Sequence, residues 1–350
     1  MGTRIRRRAV VAAAVAAVAA VSSACGSSPS GSAGGAASAP PLVVYSAQGY
    51  TQGVLDAFSK ATGVQVKLVS DSTGPLLAKV AAERSNPQWG VLWADGDAHF
   101  AGLDTQGMLL KGVTVTAPWT ASARSVIPKD ASYVPTGLTL AGALVYDPSR
   151  TPAPPKTWQE LTSAQWRGKV GMPNPAISGP TYPFVAGTMS QLGGEDQGKA
   201  FFSQLKTNGL QVFDDNPAAS HALATGSIQL DLAQSSSAYS SVKKNPALKI
   251  AYLNKVSLLP SNLAIAAKAP AAVQDEAKKF LQFVVSPAGQ RAMLAGDATG
   301  DSLYWPPITG VDPLPALPAL DTISYQTVDP YAWGPKESEI DSWFTQNIVH

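Results

Sequence analysis

Between Leu42 and Ala94 the sequence switches repeatedly between two periods. Leu42, Val43, Val44 and Tyr45 form a short apolar run that Ser46, Ala47, Gln48 and Gly49 break off. Val54, Leu55, Phe58 and Ala61 then recur at helical spacing and stop at Gly63. Val64, Val66 and Leu68 alternate, Leu76, Leu77, Val80, Ala81 and Arg84 return to helical spacing, and "GVLWA" (Gly90 to Ala94) is a third apolar run. Short apolar runs between turn residues read as buried strands, and three-four spacing reads as a helix face. Strand, helix, strand, helix, strand predicts an open parallel sheet, because parallel neighbours need a crossover that a helix supplies. In such sheets ligands collect at the carboxyl ends of the strands, where helix N-termini point. The polar loops Ser46 to Tyr50, Ser70 to Gly74 and Asp95 to Asp97 all fall at that edge.

A second block of the same kind starts at Lys169. It predicts a strand "KVGMPN", a loop Pro175 to Pro180, helices Tyr182 to Leu192 and Asp196 to Asn208, and a strand near Gln211. A helix Pro217 to Ala224 and a strand Ile228 to Ala233 complete it. Between and after the blocks lie two long apolar stretches, "YVPTGLTLAGALVYDPSR" and "LLPSNLAIAAKAP". They read as chain crossings, at Leu138 to Tyr146 and Asn262 to Ala267, that join two lobes. A chain of 350 residues also exceeds what one compact core usually holds. The expected fold is therefore α/β with two lobes, each an open, mostly parallel sheet flanked by helices, and a cleft between them. Residues 42–137 with 263–350 would form lobe 1, and 138–262 lobe 2. Charged residues make up 14% of the chain and the net charge is only +2, which argues against nucleic acid as a partner.

The N-terminus reads as an export signal over residues 1–24. Arg4, Arg6, Arg7 and Arg8 precede an unbroken Ala/Val run from Ala9 to Val21, shorter than the roughly 18 apolar residues a spanning helix needs. Ser22, Ser23 and Ala24 lead into Cys25, the one cysteine of the chain. A lone thiol in an exported chain has no internal disulfide partner. Small residues before a single cysteine resemble the lipobox of bacterial lipoproteins. That resemblance implies that Cys25 carries a diacylglycerol and becomes the mature N-terminus, although Ser22 stands where Leu or Val is preferred. Residues 25–41, rich in Gly, Ser, Ala and Pro, would be a flexible tether. The expected location is the outer face of the cell membrane.

The order of pieces resembles the extracellular solute-binding proteins of ABC importers, in the branch of ferric-iron, thiamine and 2-aminoethylphosphonate binders. "VVYSAQGY" resembles the family's first strand and ligand loop, and "LLAKVAAERSNPQWGVLWADGD" its second helix, Asn-Pro link and third strand. "PKTWQELTSAQWRGKVGMPNP" resembles the entry to the second lobe, with Thr157-Trp158 and Trp166 to Lys169 its most diagnostic part. "KKFLQFVVSPAGQRAM" resembles the near-C-terminal helix pair; beyond Asp301 the likeness is loose. The resemblance implies a monomeric receptor that closes on a small-molecule solute and docks on a membrane permease, with no cofactor and no catalysis. Ferric binders of this branch carry two adjacent tyrosines after the strand matching Ile228 to Ala233. Here "AQSSSAYS" leaves Tyr239 alone, which disfavours a hard ferric ion.

The residues themselves then nominate a site. Ser72, Thr73 and Gly74 precede Pro75 at a helix start, where free N–H groups favour an anion and hydroxyls add donors. The competing reading is a plain helix cap by Ser72 or Thr73. Ser178, Gly179 and Thr181 repeat the pattern in the other lobe, and Ser235 and Ser236 offer a third start. Asp95 and Asp97 suit an amine or a metal, or a cap. Ser46, Gln48, Tyr50 and Tyr239 complete the nominated set; Trp93 reads as core. Asp214, Asp215 and Asn216 read as a cap for the helix at Pro217. Among solutes, a small phosphonate or similar oxyanion, with or without an amine, ranks first, ferric iron with a bound anion second and a thiamine-like cation third. A secreted hydrolase is the distant alternative. His99, His221 and His350 have no partner at metal-ligand spacing, and neither a nucleophile elbow nor a P-loop occurs.

Overall fold

The structure, a computed structural model, describes residues 40–296 and 300–350. The expected export signal, Cys25 and nearly all of the tether lie outside the described residues.

The first block folds as β1 (Leu42–Ser46), α1 (Thr51–Thr62), β2 (Val66–Ser70), α2 (Thr73–Ala82), β3 (Val91–Asp95) and α3 (Asp97–Thr105), followed by a short α4 (Ala121–Arg124). β1 lies between β2 and β3 and is parallel to both. Alternate residues of these strands face opposite sides, as the pleat requires. Val44, Val91 and Trp93 pack under Val54 and Phe58 of α1. Tyr45 and Leu92 pack under Leu76 and Val80 of α2 and Phe100 of α3. Gly63 ends α1 in the left-handed region at φ 77°, a conformation a Cβ would oppose.

β4 (Tyr133–Tyr146) leads across to β5 (Val170–Pro173), α5 (Thr181–Gln191), α6 (Glu195–Thr207), β6 (Gln211–Phe213), α7 (Asn216–Thr225), β7 (Leu230–Gln234) and α8 (Ser235–Lys244). Here β5 lies between β6 and β7, again parallel to both. β8 (Lys249–Ile265) then returns to the first half. The two crossings are these long strands β4 and β8, antiparallel to each other along their length. β8 is also antiparallel to β3, and β4 to β7, so the strand order runs β2-β1-β3-β8-β4-β7-β5-β6. The second crossing starts well before the expected Asn262. Its first half, "KIAYLNKVS", alternates polar and apolar residues and lacks the continuous apolar signature of a strand buried on both faces.

α9 (Ala271–Val284) and α10 (Pro287–Ala295) close the first lobe, with Phe280, Leu281 and Met293 in its core. The tail carries β9 (Tyr325–Gln326), α11 (Pro330–Trp333) and α12 (Glu337–Phe344). β9 pairs with β8. The tail then crosses α3, where Gly334 sits so close to Ala98 and Gly102 that a Cβ would collide with their backbone. Ile340, Phe344 and Ile348 finish among Phe201, Phe202 and Leu205 of α6. The sequence grouping of all of 263–350 with lobe 1 leaves out this packing of the chain's end on the second lobe.

Candidate functional site

The carboxyl ends of β1, β2 and β3 meet the second lobe along a closed seam. At its centre is Asp95, the last residue of β3. Its carboxylate accepts Gln48 Nε2 from the β1–α1 turn at 2.9 Å and Gln234 Nε2 from the end of β7 at 2.9 Å. The Ser261 hydroxyl of β8 also donates to it. Gln234 Nε2 further reaches Thr139 Oγ1 of β4 at 3.1 Å. One buried carboxylate thus gathers groups from the first lobe, the second lobe and the β8 crossing, and reaches the β4 crossing through Gln234. Burial pushes the Asp95 carboxyl up, and the donors from Ser261, Gln48 and Gln234 offset part of that push.

The second point of contact is the start of α2. The Gly74 N–H donates to the Ile177 carbonyl across the seam at 3.3 Å, and a Cβ on Gly74 would press into the Ala176 carbonyl. Thr73, buried, packs against Gly179 so closely that a Cβ on Gly179 would overlap its side chain. Glycine is required at both places for the backbones to approach. The Asn174 side chain shapes the facing loop by accepting the Ala176 N–H at 3.0 Å.

The reading of Ser72 or Thr73 as a helix cap fails. Ser72 is the N-cap residue of α2, yet its side chain makes no cap bond and is exposed. The starts of α5 and α8 likewise have no side-chain cap, and Ser235 Oγ instead accepts the Leu140 N–H of β4 at 2.9 Å. Away from the seam, α7 and α10 are capped by Asp215 and Ser286. The Asp214 to Asn216 stretch is therefore the cap that the sequence indicates, supplied by Asp215.

The structure distributes the nominated residues unevenly. Gln48, Asp95, Thr73, Gly74, Ser178, Gly179, Thr181, Ser235 and Ser236 lie along the seam or immediately behind it. Ser46 is spent on the turn: its hydroxyl is 2.6 Å from Thr51 Oγ1 and accepts the Gln48 N–H. Two nominations are corrected. Tyr50 is only 1% exposed, with its ring between Trp93 and Tyr304 in the lobe-1 core, so it offers a ligand no ring face, although its hydroxyl meets Ser261 beside Asp95. Tyr239 packs edge-on against Trp305, and its hydroxyl is taken by Tyr252 Oη at 2.8 Å. Burial pushes both of those phenols up, away from the phenolate form. Asp97 stands apart from the Asp95 network and lines a groove on the flank of α3. Trp93 is core, as read, with its indole N–H on Thr136 Oγ1 at 2.9 Å.

Sequence reasoning missed Gln234, Thr139 and Ser261. The signal for the last two was the presence of polar residues inside each long apolar stretch, Thr136 and Thr139 in one and Ser261 and Asn262 in the other, since buried polar groups usually have partners. Gln234 was overshadowed by the three serines after it. No serine–histidine–aspartate arrangement forms around His221 among the described residues: His221 is exposed, and Asp231, on β7, is bonded by Ser220 Oγ at 3.3 Å.

Comparison with known proteins gives the family and the fold. The sequence pattern of the family described as "Bacterial extracellular solute-binding protein" matches residues 53–322. A Salmonella typhimurium (strain LT2) protein named "Putative 2-aminoethylphosphonate-binding periplasmic protein" is 24% identical over 273 residues, covering 71% of this chain and 75% of its own. The fold matches the periplasmic binding protein AfuA from Actinobacillus pleuropneumoniae, solved with exogenous fructose-6-phosphate bound. That match has a TM-score of 0.76 at 19% identity, covering 88% of this chain and 98% of that one. It also matches iron-bound HitA from Pseudomonas aeruginosa, with a TM-score of 0.74 at 20% identity, covering 89% and 100%.

Proposed function

The chain belongs to the bacterial extracellular solute-binding proteins, and from that premise we propose that it captures a small aminophosphonate-like zwitterion between its lobes for an ABC importer. The observation that carries the reading is Asp95, a buried carboxylate held by both lobes at a seam bounded by uncapped helix starts. An ammonium that displaces the Gln48 or Gln234 carboxamide would gain a charge-assisted bond to Asp95. The N–H groups opening α8, with Thr73, Ser178, Thr181, Ser235 and Ser236 nearby, suit the phosphonate oxygens, and at α2 the Gly74 N–H joins them if it leaves the Ile177 carbonyl. A zwitterion needs both halves of this arrangement, whereas an inorganic oxyanion would meet Asp95 as a repelling charge.

Contacts from both lobes are also what lets a solute favour the closed form, since a solute held equally in open and closed states shifts nothing. The name of the Salmonella relative supports the choice of solute. The reading includes a lipid on Cys25 that tethers the receptor outside the membrane, and a role in binding without turnover. A thermal-shift screen against 2-aminoethylphosphonate, organophosphates, ferric salts and thiamine tests it. A solute at about 100 times its dissociation constant adds about 2.7 kcal/mol of stability. The largest shift is expected with the aminophosphonate; a larger one with ferric salts or thiamine overturns the choice.

A further inference from the structure

On the flank of α3, away from the seam, lies a groove of about 880 Å³, a volume within the range of small-molecule sites. Asp97 and Tyr133 stand in its floor, and both are more than nine-tenths buried. Most of the charges around it are already matched. Lys111 Nζ lies 3.0 Å from Asp104 and 2.8 Å from Asp130. Asp329 caps α11 through the Tyr331 and Ala332 N–H groups. Lys129 points into solvent at the rim.

Asp97 has no such match. It receives backbone N–H groups at the start of α3, and the nearest cation, His99, is ion-paired with Glu337. Burial pushes the Asp97 carboxyl up to about 7. The Tyr133 hydroxyl has no hydrogen-bond partner among the described residues, and it lines the same groove within the electrostatic reach of Asp97. A buried carboxylate without a counter-ion beside a buried hydroxyl without a partner is costly unless something occupies the space. Val126, Ile127 and Pro128 form one apolar wall, and Val328 and Pro330 the other. That second wall lies beyond residues 53–322, the stretch the family pattern matches.

We propose that this groove is a second binding site, separate from the interlobe cleft, for an organic ammonium ion with a small apolar body. Asp97 takes the ammonium, the Tyr133 oxygen accepts a second N–H, and the two walls cover the body. A bare metal ion fits less well, because one uncommitted carboxylate falls short of the oxygen ligands that hard cations collect.

Calorimetric titration of the full chain with phenethylammonium tests the site, with 2-phenylethanol as the uncharged counterpart. Wild type and Asp95→Asn are expected to bind phenethylammonium alike. Asp97→Asn should weaken it by at least about tenfold, the loss of a hydrogen bond to a charged group. Tyr133→Phe should weaken it several-fold, and this variant reports on the site even if Asp97→Asn folds poorly. Absence of saturable binding overturns the proposal, as does unchanged affinity in both groove variants or equal binding of 2-phenylethanol. Loss in Asp95→Asn alone assigns the ammonium to the cleft and equally overturns it. Aminophosphonate binding is expected to respond to Asp95→Asn and not to Asp97→Asn, so each site can fail without the other.

Discussion

Asp231 shows how a single residue sets a measurable property. It is fully buried on β7, one carboxylate oxygen has no partner among the described residues, and Ser220 offers the other a bond at 3.3 Å. Burial pushes its carboxyl from 3.8 up to about 7. The folded chain therefore keeps a proton that the unfolded chain releases between those values. Stability attributable to this group falls as pH rises through that window and levels off above about 7. Asp231→Asn removes the titration. Its stability relative to wild type is expected to rise from about pH 4 to about pH 8 by a few kcal/mol, read by denaturant melts. A difference that stays constant with pH contradicts the account. The same residue marks a limit of sequence reading. "QLDLAQ" shows an acid in strand alternation, which normally means a solvated face, and only the covering of β7 by α7 and α8 makes it buried.

At the scale of elements, the two blocks of alternating strands and helices were legible because period and punctuation agree in them. Gly63, Gly226 and the Asp215–Pro217 start bound helices where backbone chemistry demands it. Helix starts at the seam were legible as starts but not as uncapped ones. A serine before a proline looks the same whether it caps or not, and the difference lies in which lobe faces it. Ser72→Ala is therefore expected to change stability by much less than the about 1 kcal/mol of a lost cap, whereas Asp215→Ala should lose about that amount. Equal losses in the two variants would restore Ser72 as a cap. Gly74→Ala makes the complementary test. Alanine is easier than glycine within a helix, so folding should not suffer. The added methyl meets the Ala176 carbonyl, so the lobes should stand further apart. Small-angle scattering should show a larger particle, with weaker solute binding; unchanged scattering and affinity would show that the seam does not set closure.

At the scale of the whole molecule, closure involves more than the cleft. The tail bonds to both lobes: Tyr331 Oη donates to Asp104 of α3 at 3.0 Å, and Tyr182 Oη of α5 donates to the Trp333 carbonyl at 2.7 Å. Glu337 pairs with buried His99. Burial alone would lower the His99 pKa, but Glu337, Asp341 and the Gly179 backbone together outweigh it and the net shift is upward. None of this was legible, because a Pro- and aromatic-rich tail carries no periodic pattern that names its partners. The opposite end carries a prediction about place. If Cys25 holds the lipid, Cys25→Ser should move the protein from the membrane fraction to the medium or leave it unprocessed, as fractionation and N-terminal peptide mass will show. A wild-type protein without lipid mass, found wholly in the soluble exported fraction, contradicts the anchor.

The central claim is that Asp95 holds the ammonium of a zwitterionic solute at a seam both lobes share. Calorimetric titration of 2-aminoethylphosphonate into wild type and Asp95→Asn measures this most directly. The account expects saturable one-to-one binding to wild type and a loss of at least about tenfold in the variant, from the hydrogen bond to a charged group. A wild-type protein that gives no binding heat, or a variant that binds as tightly as wild type, would contradict it.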